Sequence, residues 1–228
     1  MLDDSFAYAK GGVWEKWTRW VLLILCMIIF PFILGYIIRI YRGGKPAPEP
    51  GEWITLFVDG LKLLLVQILF FAPVILLIIL AFVPMISTLI TSGAFTLDFG
   101  SMSDTQTERW LSSHPELLSA LGLMVMILLV AVILALIIMF FSFLGVVRFA
   151  RTRSISEAFN FSAIISHIGR IGWANYILAL IVIGIIGFIF SSVLNFLSFV
   201  PIIGIILEFI VMMILYVPFI LFSARFSV

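Results

Sequence analysis

The chain has 228 residues, of which 64% are hydrophobic and 11% charged, with a formal net charge of +1 and a mean hydropathy of +1.29. Soluble domains are close to half apolar and a quarter charged, so there is too little polar surface here to clothe a globule in water, and a polytopic membrane protein is implied. A net charge near zero points to no nucleic-acid partner and no acidic one.

The opening "MLDDSFAYAKGG" carries two aspartates where a cleavable leader would be basic, so no signal peptide is expected. A bilayer core of roughly 30 Å needs about 20 apolar residues per helix. Five segments meet or approach that length: residues 20–38, 63–97, 117–147, 171 to about 194, and about 202–224. Backbone polar groups in lipid must be satisfied within the segment, so the fold class is all-α, an integral membrane helical bundle of about five hydrophobic helices. Pro31 sits in the second half of the first segment. A full crossing is expected there, with a re-entrant hairpin broken at Phe30-Pro31 as the alternative. The second segment contains Pro73 and Pro84, and both it and the third exceed one crossing, so they tilt or project beyond the bilayer. Cys26, the single cysteine, lies inside the first run and has no partner for an intrachain disulfide.

The connections set the orientation. Residues 39–62 hold Arg39, Arg42, Lys45 and Lys62, and residues 148–170 hold Arg148, Arg151, Arg153 and Arg170. The loop at about 98–116 holds only Arg109 among Asp98, Asp104, Glu108 and Glu116. The positive-inside rule makes the two basic connections and the C-terminal tail with Arg225 cytoplasmic and the acidic loop external. The fourth and fifth segments then turn externally near "SFVPIIG". Lys10, Lys16 and Arg19 precede the first segment and leave the side of the N-terminus open.

"LGYIIRIYRGG" from Leu34 returns as "LGVVRFARTRS" from Leu144. At an offset of about 108, Glu49 falls on Glu157, Trp53 on Phe161, Lys62 on Arg170 and Gln67 on Asn175. The chain reads as a single membrane domain over 1–228, with parallel repeat units at about 20–97 and 117–198 and a final helix at about 202–224; shared membrane constraints are the other explanation of the likeness. Within the first ending, glycine serves close packing, tyrosine the interface and the arginines orientation. After each ending comes a short amphipathic stretch. "SISEAFNFSAIISHIGR" opens with the capping-box spacing of Ser154 and Glu157, and "EPGEWITLFVDGLK" places Trp53, Leu56, Phe57 and Leu61 on one side. Two short cytoplasmic interfacial helices are expected, anchored by Trp53 and Trp173; the alternative is that each is only the first turns of the next membrane helix.

Few residues carry chemistry. His114 sits in "SSHPE", where Ser113, Pro115 and Glu116 read as a helix start rather than a catalytic site. His167 stands three residues before Arg170, a solvated or headgroup-facing position. No HExxH, CxxC, phosphate-binding glycine loop or nucleophile elbow occurs, so no enzyme, metal or cofactor is expected. Glu208 is the one acid inside a hydrophobic segment, roughly 9 Å below the helix start at 1.5 Å per residue. An intramembrane ionisable group is a functional candidate, with Asn195 as partner near the same end and Gln67 and Asn175 as further polar positions. Gly187 with Ser191, and Ala131 with Ala135, have the small-xxx-small spacing of helix packing. Arg39, Arg42, Lys62, Arg148, Arg151, Arg153 and Arg170 suit anionic headgroups.

The stretch "LGYIIRIYRGGKPAPEPGEWITLFVDGLKLLL" resembles the hallmark of an uncharacterised, largely archaeal group of polytopic membrane proteins, DUF4013, through Gly35, Tyr36, Arg39, Trp53, Phe57, Asp59, Gly60 and Lys62. "RFARTRSISEAFNF" is similar to that family's second basic connection. The resemblance implies an archaeal cell-membrane protein and no particular activity. The expected role is therefore a non-catalytic membrane protein, self-assembling or accessory to a larger complex, with membrane lipid and further copies of itself as partners. The alternative is a small transporter or channel-like bundle that uses Glu208.

Overall fold

The computed structural model describes residues 2–94, 102–197 and 204–227. The distal end of the second apolar segment with Asp98, and the "SFVPIIG" turn before Gly204, lie outside them. The described residues form ten helices and no strand: α1 (Leu2–Val13), α2 (Trp17–Ile28), α3 (Phe30–Tyr41), α4 (Trp53–Thr91), α5 (Asp104–Ser113), α6 (Pro115–Thr152), α7 (Ile155–Ala158), α8 (Phe161–Ile171), α9 (Trp173–Leu197) and α10 (Gly204–Phe226). Four helices, α4, α6, α9 and α10, are long and apolar enough to cross a membrane; they are the second to fifth of the apolar segments.

The helices fall into two compact units, Met1–Gln67 with Phe141–Val228, and Ile68–Phe140. The second unit holds the middle of the chain, from the body of α4 through α5 to the body of α6. In the first unit α1 packs on α10, α10 on α9, α3 and α2, and α2 on α3. Its core is continuous from Tyr8 and Val13 through Leu23, Cys26, Ile33 and Tyr36 to Leu56, Val217 and Leu221.

The first apolar segment is not one crossing helix. The chain breaks at Ile29 (φ −103°, ψ 87°), and Pro31 enters the first turn of α3, where its missing N–H leaves no bond unmade. At 12 residues each, α2 and α3 are about 18 Å long, well short of a 30 Å core. Their outer ends meet. Arg19 at the start of α2 forms an ion pair with Glu49 beyond α3, and Tyr8 Oη donates to the Gly44 carbonyl at 3.2 Å. The apolar tip is exposed at Ile28, Ile29 and Phe30. The chain thus turns back on itself in the form of the hairpin alternative, with its two outer ends together.

Three local readings are also corrected. The stretch from Trp53 to Lys62 is not a separate interfacial helix but the opening turns of the 39-residue α4. The counterpart stands apart as α8, bounded by Asn160, whose Oδ1 accepts from Ala163 N at 3.1 Å, and by Gly172 at φ +93°, a conformation that glycine adopts without strain. Neither expected capping box forms. Ser154 makes no side-chain cap bond, its Oγ lying 2.9 Å from Ser156 Oγ, and Glu157 turns to Arg148; Ser113 Oγ donates back to the Trp110 carbonyl at 2.7 Å. Tyr36, expected at the interface, is fully buried, with its hydroxyl donating to Pro48 O at 2.8 Å.

Gly35 and Gly60 bring α3 and α4 into backbone contact. A β-carbon on Gly35 would lie 1.9 Å from Leu56 O, and one on Gly60 would lie 1.7 Å from Pro31 O. No side chain fits at either position, so this contact fixes how α3, with the first basic ending, lies on the opening of α4.

Candidate functional site

The polar side chains of the first unit converge where α1, α3, α4, α6 and α10 end or begin. Arg39 comes from the last turn of α3, and its Nη2 reaches Thr55 Oγ1 at 3.0 Å and Glu52 Oε2 at 3.5 Å. Arg42, one residue past α3, pairs with Asp59 on α4 at 2.8 Å. Arg148 pairs with Glu157 of α7, whose carboxylate also accepts from Asn160 Nδ2 at 3.4 Å. Asp4 of α1 bridges Lys45 at 2.6 Å and Arg225 at 3.0 Å. Hydrogen bonds from those two cations hold the Asp4 carboxyl below its ordinary pKa.

The two arginine-bearing endings also clasp each other. Arg42 Nε donates to Ala150 O at 3.2 Å, and Arg151 Nε donates to Tyr41 O at 3.4 Å. Each guanidinium thus covers a carbonyl at the C-terminus of the other helix, where orphan carbonyls and the negative end of the helix dipole favour a cation. Beneath this layer Arg19 is only 5% exposed; besides Glu49, its Nη1 donates to Gly12 O at 3.4 Å.

Lys62 and Arg153 stand exposed at the same end. Arg170 Nη2 lies 3.3 Å from His167 Nδ1. Partial burial, with Arg170, Arg151 and Arg148 nearby, lowers the His167 pKa. His114 closes α5 instead of joining a capping box: Nδ1 lies 2.8 Å from Trp110 O, and the two rings are 4.4 Å apart.

The apolar-segment candidates are placed differently. Glu208 lies half-buried in the second turn of α10 and belongs to no ion pair among the described residues. Asn195 Nδ2 donates to Ser191 O at 2.9 Å and Asn175 Nδ2 to Ile171 O at 3.0 Å, each within α9 or at its start. Gln67 is half-buried at the boundary of the first unit. A β-carbon on Gly187 would meet Phe219 of α10 at 3.7 Å, so this glycine packs inside its own unit, while Ser191 is exposed. Ala131 is buried and Ala135 half-buried in the second unit. Trp53 and Trp173 are 43% and 47% exposed.

The sequence reading missed Asp4, Arg19, Glu49 and Asp59 as members of the polar layer. Asp59 had a signal: an acid beside Gly60 in an otherwise apolar helix opening. Asp4 and Glu49 had none, since their partners lie 41 and 30 residues away.

Residues 20–223 match the family described as "Protein of unknown function (DUF4013)". No curated protein and no solved structure matches the chain.

Proposed function

We propose, from the premise that the chain belongs to the DUF4013 family, that it acts without catalysis, self-assembling in the cell membrane as a scaffold or as an accessory to a larger complex. The observation that carries this reading is how little α6 and α9 bury. Only 6% of the most apolar stretch of each is covered among the described residues. On α9, Leu178, Phe188, Val193 and Phe196 are at least 60% exposed. Lipid covers such a face in a monomer; a second copy covers it in an assembly, and large aromatic and branched side chains gain dispersion contact against a protein surface. The polar layer of ion pairs then faces the cytoplasm, where the excess of basic residues belongs.

The test is light scattering of the protein in nanodiscs, with disulfide trapping of Phe188→Cys in a Cys26→Ala background. An oligomer that crosslinks through position 188 supports the reading. A monomer at every lipid ratio, with no crosslink, sinks it. The half-depth hairpin α2–α3 favours the second reading, a small transporter or channel-like bundle, because interrupted helices line pathways in transporters. That reading requires Glu208→Gln to change a flux measured in proteoliposomes, whereas the scaffold reading requires no flux.

A further inference from the structure

The end of α3, the opening three turns of α4 and the last turn of α6 enclose a cleft of about 280 Å³. Its charged lining is Arg39, Arg42, Lys62 and Arg153 against Glu52 and Asp59, four cations to two carboxylates and hence two positive charges in excess. Both carboxylates are engaged, Glu52 by Arg39 and Asp59 by Arg42. The excess therefore resides on Lys62 and Arg153, which are exposed and join no ion pair among the described residues.

The backbone supplies a second observation. Three described residues other than glycine have positive φ, and two of them, Glu52 (φ 50°) and Arg153 (φ 59°), line this cleft. Arg153 follows the last residue of α6, and its N–H bonds Phe149 O at 2.8 Å. Glycine is the usual occupant of that left-handed position. An arginine there holds a strained backbone that the helix end does not need, and strain of this kind clusters where a side chain has a task.

We propose that the cleft binds a phosphate-class anion, either a free phosphate or the phosphodiester of an anionic lipid headgroup. The paired Arg39 and Arg42 frame the site. Arg153 offers a planar fork suited to two phosphate oxygens, and Lys62 a compact point charge. The opening turns of α4 add the positive end of a helix dipole.

The experiment uses the full chain. In neutral detergent, inorganic phosphate is titrated calorimetrically against chloride at equal ionic strength. In a second arm, native mass spectrometry counts retained phosphatidylglycerol against phosphatidylcholine. The variants are Lys62→Gln with Arg153→Gln, Arg153→Gly, and Arg170→Gln as a charge control outside the cleft. The double variant loses roughly tenfold or more in affinity, two charge-assisted contacts being removed. Arg153→Gly also weakens binding but raises the thermal midpoint, because glycine relieves the left-handed strain; a purely structural arginine would not separate the two readouts. Variant-sensitive phosphate binding assigns a free anion, and variant-sensitive retention of phosphatidylglycerol alone assigns a headgroup. The proposal is overturned if neither ligand binds, if Arg170→Gln weakens binding as much as the double variant, or if Arg153→Gly binds like the parent.

Discussion

Residues 34–42 and 144–151 are written alike, and at their arginines they fold alike. Each ends an apolar helix, each closes an arginine onto a downstream acid, Arg39 onto Glu52 and Arg148 onto Glu157, and each lends its second arginine to a terminal carbonyl of the other. Beyond the arginines they part. After the first ending the chain passes through residues 43–52 without a helix and enters the unbroken α4. After the second it forms α7 and α8 and breaks at Gly172 before α9. The difference lies in the neighbours. Lys62 and Arg170 correspond at the offset of 108, yet Gly60, pressed on the backbone of α3, falls on the buried side chain of Ile168, and the glycine of α8, Gly169, meets nothing within 4 Å. An end-of-helix motif thus transfers as a unit, and the connector after it conforms to what it packs against.

The strongest way to break this comparison is at the glycines. Gly60→Ala drives a β-carbon into Pro31 O, a backbone atom that no side-chain rotation can remove, so the loss is expected at about 3 kcal/mol or more, the upper range of overpacking. Gly169→Ala is expected to stabilise α8 by up to about 1 kcal/mol through helix propensity. Thermal unfolding followed by fluorescence size exclusion separates the two, and similar behaviour of both variants would remove the distinction between the connectors.

The reciprocal arginines come next. Arg42→Gln removes the partly buried pair with Asp59 as well as the bond to Ala150 O, an expected loss of about 2 kcal/mol for charge-assisted bonds. A double-mutant cycle with Asp59→Asn should return a coupling of about 1 kcal/mol. A coupling near zero would mean that the pair is a bystander.

Asn160→Ala removes the cap of α8 and should cost about 1 kcal/mol, whereas Ser154→Ala, which removes no side-chain cap bond, should fall within about 0.5 kcal/mol of the parent. Equal losses would restore Ser154 as the helix start.

The smallest effect is a pH dependence at the layer that ties α1 down. The Asp4 pKa is lowered in the fold by Lys45 and Arg225, so its contribution is present above the ordinary carboxyl value of 3.8 and is lost as pH falls through the folded value. The midpoint difference between parent and Asp4→Asn should be constant from about pH 5 to about pH 7 and shrink below that. A difference that grows on acidification would assign the effect to another group. His167 works in the same direction at higher pH: its pKa is lowered from 6.5, so protonation opposes the fold as pH drops below that value.

What the residues determined without any tertiary information was the class, the four long helices of the second to fifth apolar segments and the positions of the basic endings. Each of these follows from local quantities: the length of an apolar run against the bilayer thickness, and the clustering of arginine and lysine at its ends. Proline did not have that power. Pro73 and Pro84 lie inside a continuous α4, while the chain breaks two residues before Pro31, and the sequence around them offers no means of telling these cases apart. The break is settled by contacts that close only in three dimensions: Arg19 with Glu49, Tyr8 with Gly44, and Gly35 and Gly60 against the facing backbone. A helix long enough to span is stable by its own hydrogen bonds in lipid, but two half-length helices need each other and their neighbours. For that reason the hairpin, the polar layer and the cleft between its arginines belong to the tertiary structure alone.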